Sequence, residues 1–348
     1  MTGPTEPAIP AEAADRPLGW GVIGATSTVA QLAVLPALAR SPSARLVAVA
    51  SQSTAPGGYD AHGAERALPS YEAVLDDPEV EAVYIPLPNS LHARWAARAA
   101  AAGRHVLCEK PLARTRTEAE AMAGACEATG VTLMEAYMTP FHPRSAAMAD
   151  LARSGRLGPL RFAHAAFTGT LTRADDHRWR PEMGGGSLLD VGIYCLAPIL
   201  AAAGRLPTAV AATARTTASG VDASFSGHLD LGEGMAAAIE CSFEAPERQR
   251  LEIAGTEAAV VAHRAFTPGP SDTTFTLRHR DGTTEAVETA GGDCYQAMVE
   301  HFAAVVRGRA APLRPPSDSV ALAGVLDALA GAAGLAWAGG QEQGSRPS

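Results

Sequence analysis

From residue 19 to residue 140, short apolar runs take turns with segments of helical period. GWGVIGA, ARLVAVASQS, EAVYIPLP, HVLCEKP and VTLMEAY are apolar stretches closed by Gly, Pro or polar turn residues. Between them, TVAQLAVLPALAR, YEAVLDD, HARWAARAAAAG and TRTEAEAMAGACEATG bring apolar residues round every three or four positions. The strand-like runs are continuous in their hydrophobicity, which requires cover on both faces. This rhythm predicts an α/β domain with a doubly wound parallel sheet.

After Pro143 the rhythm changes. Two helical segments, PRSAAMADLARSG and SLLDVGIYCLAPILAAAG, precede the strand-like TAVAATARTT, SFSGHLDL, MAAAIECSF, RQRLEIAG, AAVVAHR, TTFTLRH and TEAVET. Strands in succession without helices between them, several of alternating polarity, predict an α+β domain with a large, mainly antiparallel open sheet. YQAMVEHFAAVVRG and SDSVALAGVLDALAGAAG close the chain as helices. The expected divisions are a disordered tail at 1–17, the first domain at 18–140, the second at 141–340, and a short tail at 341–348.

Composition narrows the partners. The net charge of the 348 residues is -9 and no basic block occurs, so there is no electrostatic footprint for nucleic acid. Five scattered cysteines without a C-x-x-C, and ten histidines without an H-x-x-x-H, predict reduced thiols and no metal site. The opening MTGPTEPAIPAEAADRP lacks a basic-then-apolar leader. The most apolar late run, LAGVLDALAGAAGLAWAGG, carries Asp327 and reads as a packed helix. The expectation is a soluble, cytoplasmic protein with no membrane partner.

Chemistry enters with GVIGATSTVA, which leaves the first strand and opens the first helix. A Gly-rich turn in that setting lets backbone N–H groups and a helix N-terminus meet a pyrophosphate. Gly24 suits the tight turn, and Thr26, Ser27 and Thr28 follow it; Thr26 stands where G-x-G-x-x-G has its second glycine. An ordinary strand-to-helix turn would read similarly. The second strand ends in Ser51-Gln52-Ser53, without the carboxylate that holds the ribose of NAD. Hydroxyls and an amide can donate to a 2′-phosphate, so NADP is the preferred cofactor, with NAD open.

Three later stretches then carry a resemblance: YIPLPNSLHARWA (84–96), CEKPLA (108–113) and GGGSLLDVGIYCL (184–196). In this order, after a Gly-rich first turn, the chain resembles the glucose-fructose oxidoreductase, inositol dehydrogenase and MocA (Gfo/Idh/MocA) family over about residues 18–340. The resemblance implies a Rossmann domain and a substrate-binding and oligomerisation domain. Pro88 and Asn89 would lie near the nicotinamide ribose, and His92 would open the next helix. Glu109-Lys110-Pro111 would bring the lysine to the nicotinamide and the reacting oxygen. Asp190 and Tyr194 would complete the site from the second domain. Many relatives have histidine where this chain has Tyr194; tyrosine resembles the sugar oxidoreductase, dihydrodiol dehydrogenase and keto-sugar nucleotide reductase branches.

The residue types support these roles. Hydride transfer to a carbonyl creates an alkoxide, which needs a proton donor and a nearby positive charge. Lys110 supplies the charge, and beside it the Tyr194 phenol is expected to have a lowered pKa and give the proton. Asp190, four residues earlier on one helix face, would orient a substrate hydroxyl. Tyr137 would line the nicotinamide pocket, and His142, Arg178, Trp179 and Arg180 lie in loops that could meet substrate. Ordinary structural roles compete: a solvated lysine, an acid favoured by a helix dipole, a half-buried core aromatic. The preferred reading is an NAD(P)-dependent keto-sugar reductase acting on a polyhydroxylated small molecule as a homodimer or homotetramer. Alternatives are a dihydrodiol or aldose dehydrogenase working oxidatively, and a non-catalytic NAD(P)-binding sensor.

Overall fold

The computed structural model describes residues 16–55 and 57–336. The expected tails at 1–17 and 341–348 lie outside these, apart from Arg16 and Pro17. The first sheet has six parallel strands: β1 (Leu18–Ile23), β2 (Ala44–Ala50), β3 (Arg66–Leu68), β4 (Ala82–Ile85), β5 (His105–Glu109) and β6 (Leu133–Ala136). Their order, β3-β2-β1-β4-β5-β6, reverses direction between β1 and β4. Every residue of β1 is buried, as a strand covered on both faces requires. Alternate residues feed two cores: Trp20, Leu46 and Tyr84 face one, and Ile23, Val47 and Val83 face the other. The connecting helices are α1 (Ala30–Arg40), α2 (Tyr71–Asp76), α3 (His92–Ala101) and α4 (Arg116–Thr129).

The core that holds Trp20 and Tyr84 runs on without a break into the second half of the chain. There α5 (Pro143–Arg153) leads to an eight-stranded sheet of β7 (Leu160–Thr170), β8 (Ala209–Thr216), β9 (Asp222–Asp230), β10 (Ala236–Ser242), β11 (Glu244–Gly255), β12 (Ala258–His263), β13 (Thr274–His279) and β14 (Thr284–Glu288). The order is β14-β13-β12-β11-β7-β10-β9-β8, antiparallel except that β7 and β10 pair in parallel. A π-helical turn, Leu188–Gly192, opens α6 (Ile193–Ala203), which packs on β7. The sheet's central strand, β7, was not among the expected strands, and neither was the short edge strand β3.

Two helices close the chain. α7 (Cys294–Val306) returns to pack on α1, and α8 (Pro316–Ala332) packs on α4 and β8, touching both halves. Glu135 of β6 locks that return: its Oε2 accepts the Ser319 hydroxyl at 2.8 Å, and its Oε1 accepts the Leu112 N–H at 2.7 Å. The run long and apolar enough to cross a bilayer, Pro181–Ala203, lies mostly inside the protein. All five cysteines are free and buried.

Candidate active site

The crest of the first sheet is built around the β1–α1 turn. Gly24 has φ +97°, and a Cβ there would stand 2.7 Å from Leu87 Cδ2. Glycine therefore lets the turn both reverse and press against the Pro86–Leu87 segment that leaves β4. The Gly24 and Ala25 N–H groups both donate to Ala50 O at 2.9 Å, and Ser27 Oγ accepts the Ala30 N–H. Thr28 stands exposed in the first turn of the helix. The turn thus sits where the strand order reverses, the place where open α/β sheets bind ligands.

Beside it, Thr26, Ser51 and Ser53 close a ring of hydroxyls, with oxygen separations of 2.9, 3.0 and 3.0 Å. Ser51 is buried, while Ser53 and Gln52 face solvent. No carboxylate ends β2, so this corner presents hydrogen-bonding groups without a charge that would repel a phosphate. These residues fit an NAD(P) dinucleotide.

Lys110 follows β5 directly. Its Nζ donates to the Asp190 carbonyl at 2.7 Å and to Asp190 Oδ1 at 3.0 Å, and lies 4.8 Å above the centre of the Tyr194 ring. Arg178 Nε donates to Asp190 Oδ2 at 2.8 Å, and the same guanidinium holds Asp176. Burial works against an ionised Asp190, but the Lys110 and Arg178 cations more than reverse it and hold the carboxyl far below the usual carboxylate range. Both carboxylate oxygens are engaged by protein cations. Asp190 therefore aims Lys110 in this structure with both its carbonyl and its carboxylate.

Tyr194 corrects one expectation. Burial pushes its phenol well above the ordinary value, and the nearby Tyr295, Glu109 and Asp190 add to the rise. The expected lowering by Lys110 fails because the ammonium lies over the ring face and is bonded to Asp190. Among the described residues, the hydroxyl itself bonds to the Met138 sulfur, at 3.8 Å. Tyr137 and Phe167 brace the ring at centroid distances of 5.5 and 5.4 Å. Tyr137 is buried with Arg314 on its own face, so it backs Tyr194 instead of lining a nicotinamide pocket.

Several residues expected to touch cofactor or substrate position the loops. His92 is fully buried; its Nδ1 and Nε2 face the carbonyls of Pro111 and Leu87 at 3.0 and 2.8 Å, tying the two crest loops together. Glu109 turns inward, accepting the Tyr84 hydroxyl at 2.7 Å and the Lys110 N–H at 3.2 Å. Pro88 leads into Asn89, whose amide donates across to Gly184 O at 2.8 Å and joins the two halves. Trp179 packs edge-on against Phe243, and His142 caps α5 by accepting the Arg144 N–H. Sequence reading missed Tyr84, Glu135, Met138 and Asp222. The polar ones lie in apolar strand runs or at a strand start, where a lone acid or phenol needs a buried partner. Among the described residues no three His, Cys, Asp or Glu side chains gather as a metal site would require.

A parallel crest with a Gly turn, a lysine at the end of the fifth strand and a tyrosine from the second sheet's helix define a dinucleotide-dependent oxidoreductase of two-part architecture. Sequence profiles agree. Residues 18–137 match the oxidoreductase family NAD-binding Rossmann fold, and residues 145–261 match the GFO/IDH/MocA C-terminal domain. The chain belongs to the Gfo/Idh/MocA oxidoreductase family. It is 36% identical over 312 residues to D-xylose 1-dehydrogenase (NADP(+)) 2 of Haloferax volcanii, covering 89% of this chain and 95% of that one. It is 33% identical over 324 residues to dTDP-3,4-didehydro-2,6-dideoxy-alpha-D-glucose 3-reductase of Streptomyces antibioticus, covering 92% and 98%. Its fold superposes with TM-score 0.83 on the 3-ketoreductase KijD10 of Actinomadura kijaniata, crystallised with NADP and TDP-benzene, at 31% identity and coverage of 91% and 98%. The protein is an NAD(P)-dependent sugar oxidoreductase.

Proposed function

We propose that the chain reduces a ketone on a sugar or sugar nucleotide with NADPH, Tyr194 giving the proton and Lys110 stabilising the oxyanion. The observation that carries this reading is the Lys110 ammonium held by Asp190 over the face of Tyr194. The dinucleotide, when bound, supplies the hydride. Gly24, Ser27 and Thr28 would hold its pyrophosphate, Thr26, Ser51, Gln52 and Ser53 its adenosine end, and Pro88 and Asn89 its nicotinamide end. Lys110 has three N–H donors and spends two on Asp190, which leaves one for a substrate oxygen. Burial keeps Tyr194 protonated at neutral pH, the form that can donate to an alkoxide.

Relatives named as keto-sugar reductases and a structural neighbour complexed with NADP support this direction. The D-xylose dehydrogenase relative supports a second reading, oxidation of an aldose. Initial rates separate them: NADPH consumption with keto-sugars against NADP reduction with aldoses and diols. Cofactor binding without turnover of any of these would favour a sensor and overturn both.

Self-association through the outer face of the eight-stranded sheet belongs to the same proposal. Phe162 stands exposed near the start of the central strand β7, flanked in register by Ala236 and Ala254. Light scattering on the purified chain tests for a dimer or tetramer. A cytoplasmic location is proposed from the five unpaired, buried thiols.

A further inference from the structure

The segment that carries Asp190 begins without a cap of its own. Ser187 stands at the cap position, yet its hydroxyl makes no bond to the following turn. The opening N–H groups of a helix need acceptors from somewhere, and here the acceptor comes from the sheet. Asp222, the first residue of β9, is buried beneath the turn. Its Oδ2 accepts the Ser187 hydroxyl at 2.8 Å and the Leu188 N–H at 2.7 Å.

The other carboxylate oxygen fills a space that only glycine leaves open. Gly186 has φ +122°, and a Cβ on it would stand 2.0 Å from Asp222 Oδ1. Gly186 is also the junction of the site's backbone: its N–H donates to Arg178 O at 3.0 Å, and its carbonyl accepts the Asp190 N–H at 3.1 Å. One carboxylate therefore fixes three consecutive residues, and from the first of them hydrogen bonds run to both Arg178 and Asp190. Burial raises the Asp222 carboxyl to about 6, against the pull of the Leu188 and Ser187 bonds. The group is accordingly ionised at neutral pH and able to accept from both donors.

We infer that Asp222 is a positioning residue for the reaction: it sets the Gly186–Leu188 backbone so that Asp190 meets Lys110 and Arg178 at working distance. It touches none of the reacting atoms. This rests on the reading of Lys110 and Tyr194 as the residues that do the chemistry.

The test compares Asp222→Ala with Asp222→Asn, whose amide oxygen can still accept from Ser187 and Leu188. Three quantities are read: kcat for keto-sugar reduction, the Kd for NADPH, and hydrogen exchange of the amides at 187–190. Asp222→Ala is expected to lower kcat by on the order of 10²-fold, the cost of a misplaced catalytic group. NADPH binding stays at the parent level and the amides exchange faster, while Asp222→Asn restores most of kcat and the slow exchange. Parent kcat and exchange in Asp222→Ala, or an Asp222→Asn variant as impaired as the alanine, overturns the inference. Ser187→Ala, which removes one donor and leaves β9 intact, serves where Asp222→Ala does not fold. It is expected to show a smaller loss of kcat with the same exchange signature, and no change in either overturns the inference. A parent enzyme that reduces no keto-sugar sinks the functional reading instead, and the exchange comparison still decides the role of Asp222.

Discussion

The ammonium of Lys110 lies 4.8 Å above the ring centre of Tyr194, and Asp190 holds it there through both a backbone and a side-chain oxygen. A cation on an aromatic face is attracted by the ring quadrupole, so lysine and phenol are bound to each other without a hydrogen bond between them. The lysine comes from the first sheet and the tyrosine from the helix against the second. Their meeting requires both halves.

Replacing Lys110 with Ala removes the ammonium that the proposed reaction uses to stabilise the oxyanion. Turnover with the best substrate is expected to fall by about 10²–10³-fold, the usual cost of losing one oxyanion stabiliser. NADPH binding, followed by fluorescence titration, should be largely retained. Parent turnover in this variant would remove Lys110 from the chemistry.

Tyr194→Phe keeps the ring and its packing on Tyr137 and Phe167 while deleting the hydroxyl, which bonds to the Met138 sulfur. The variant should melt within a few degrees of the parent, because a thioether contact contributes little. Its kcat should drop by roughly 10²–10⁴-fold, the range of general acid catalysis. Calorimetry and steady-state rates on the same preparation separate the two effects.

Ser53 is exposed at the rim of the hydroxyl ring, so an acid there disturbs no core. Ser53→Asp is expected to raise KM for NADPH about ten-fold, equivalent to roughly 1.4 kcal/mol, while leaving NADH use unharmed or improved. Equal effects on both cofactors would place the 2′-phosphate elsewhere.

Acid should lower thermal stability through two imidazoles. His105 Nδ1 accepts the Thr132 N–H at 2.9 Å, and His142 Nδ1 accepts the Arg144 N–H at 3.2 Å. Burial lowers the pKa of both. A histidine whose folded pKa is depressed contributes stability above its unfolded value, about 6.5, and loses it as pH falls through the folded value. Asp222, raised to about 6, acts in the opposite sense: its contribution is lost as pH climbs through 6 and recovered toward acid. Calorimetry between pH 7.5 and pH 5 should show Tm falling; a rise would mean that Asp222 outweighs the two imidazoles.

Periodicity made the first sheet legible because buried parallel strands are continuously apolar, and β1, β2, β4, β5 and β6 all show it. It failed at β3, a three-residue edge strand too short to show a period, and at β7. The central strand LRFAHAAFTGT carries three alanines and a glycine, residues of low strand preference, and is held by neighbours on both sides. The site was legible in residue types and order, since Lys110, Asp190 and Tyr194 do come together. Directions were not. That His92 faces inward to two carbonyls, that Asp190 spends both oxygens on cations, and that the Tyr194 hydroxyl lies against a sulfur all depend on partners 5 to 80 residues away in the chain.

Glu135 ties the lysine loop to α8. The loop that follows Lys110 is pinned at Leu112 by the same carboxylate that accepts the Ser319 hydroxyl on α8. Because the two contacts share one buried carboxylate, a change at Ser319 reaches the lysine loop through Glu135.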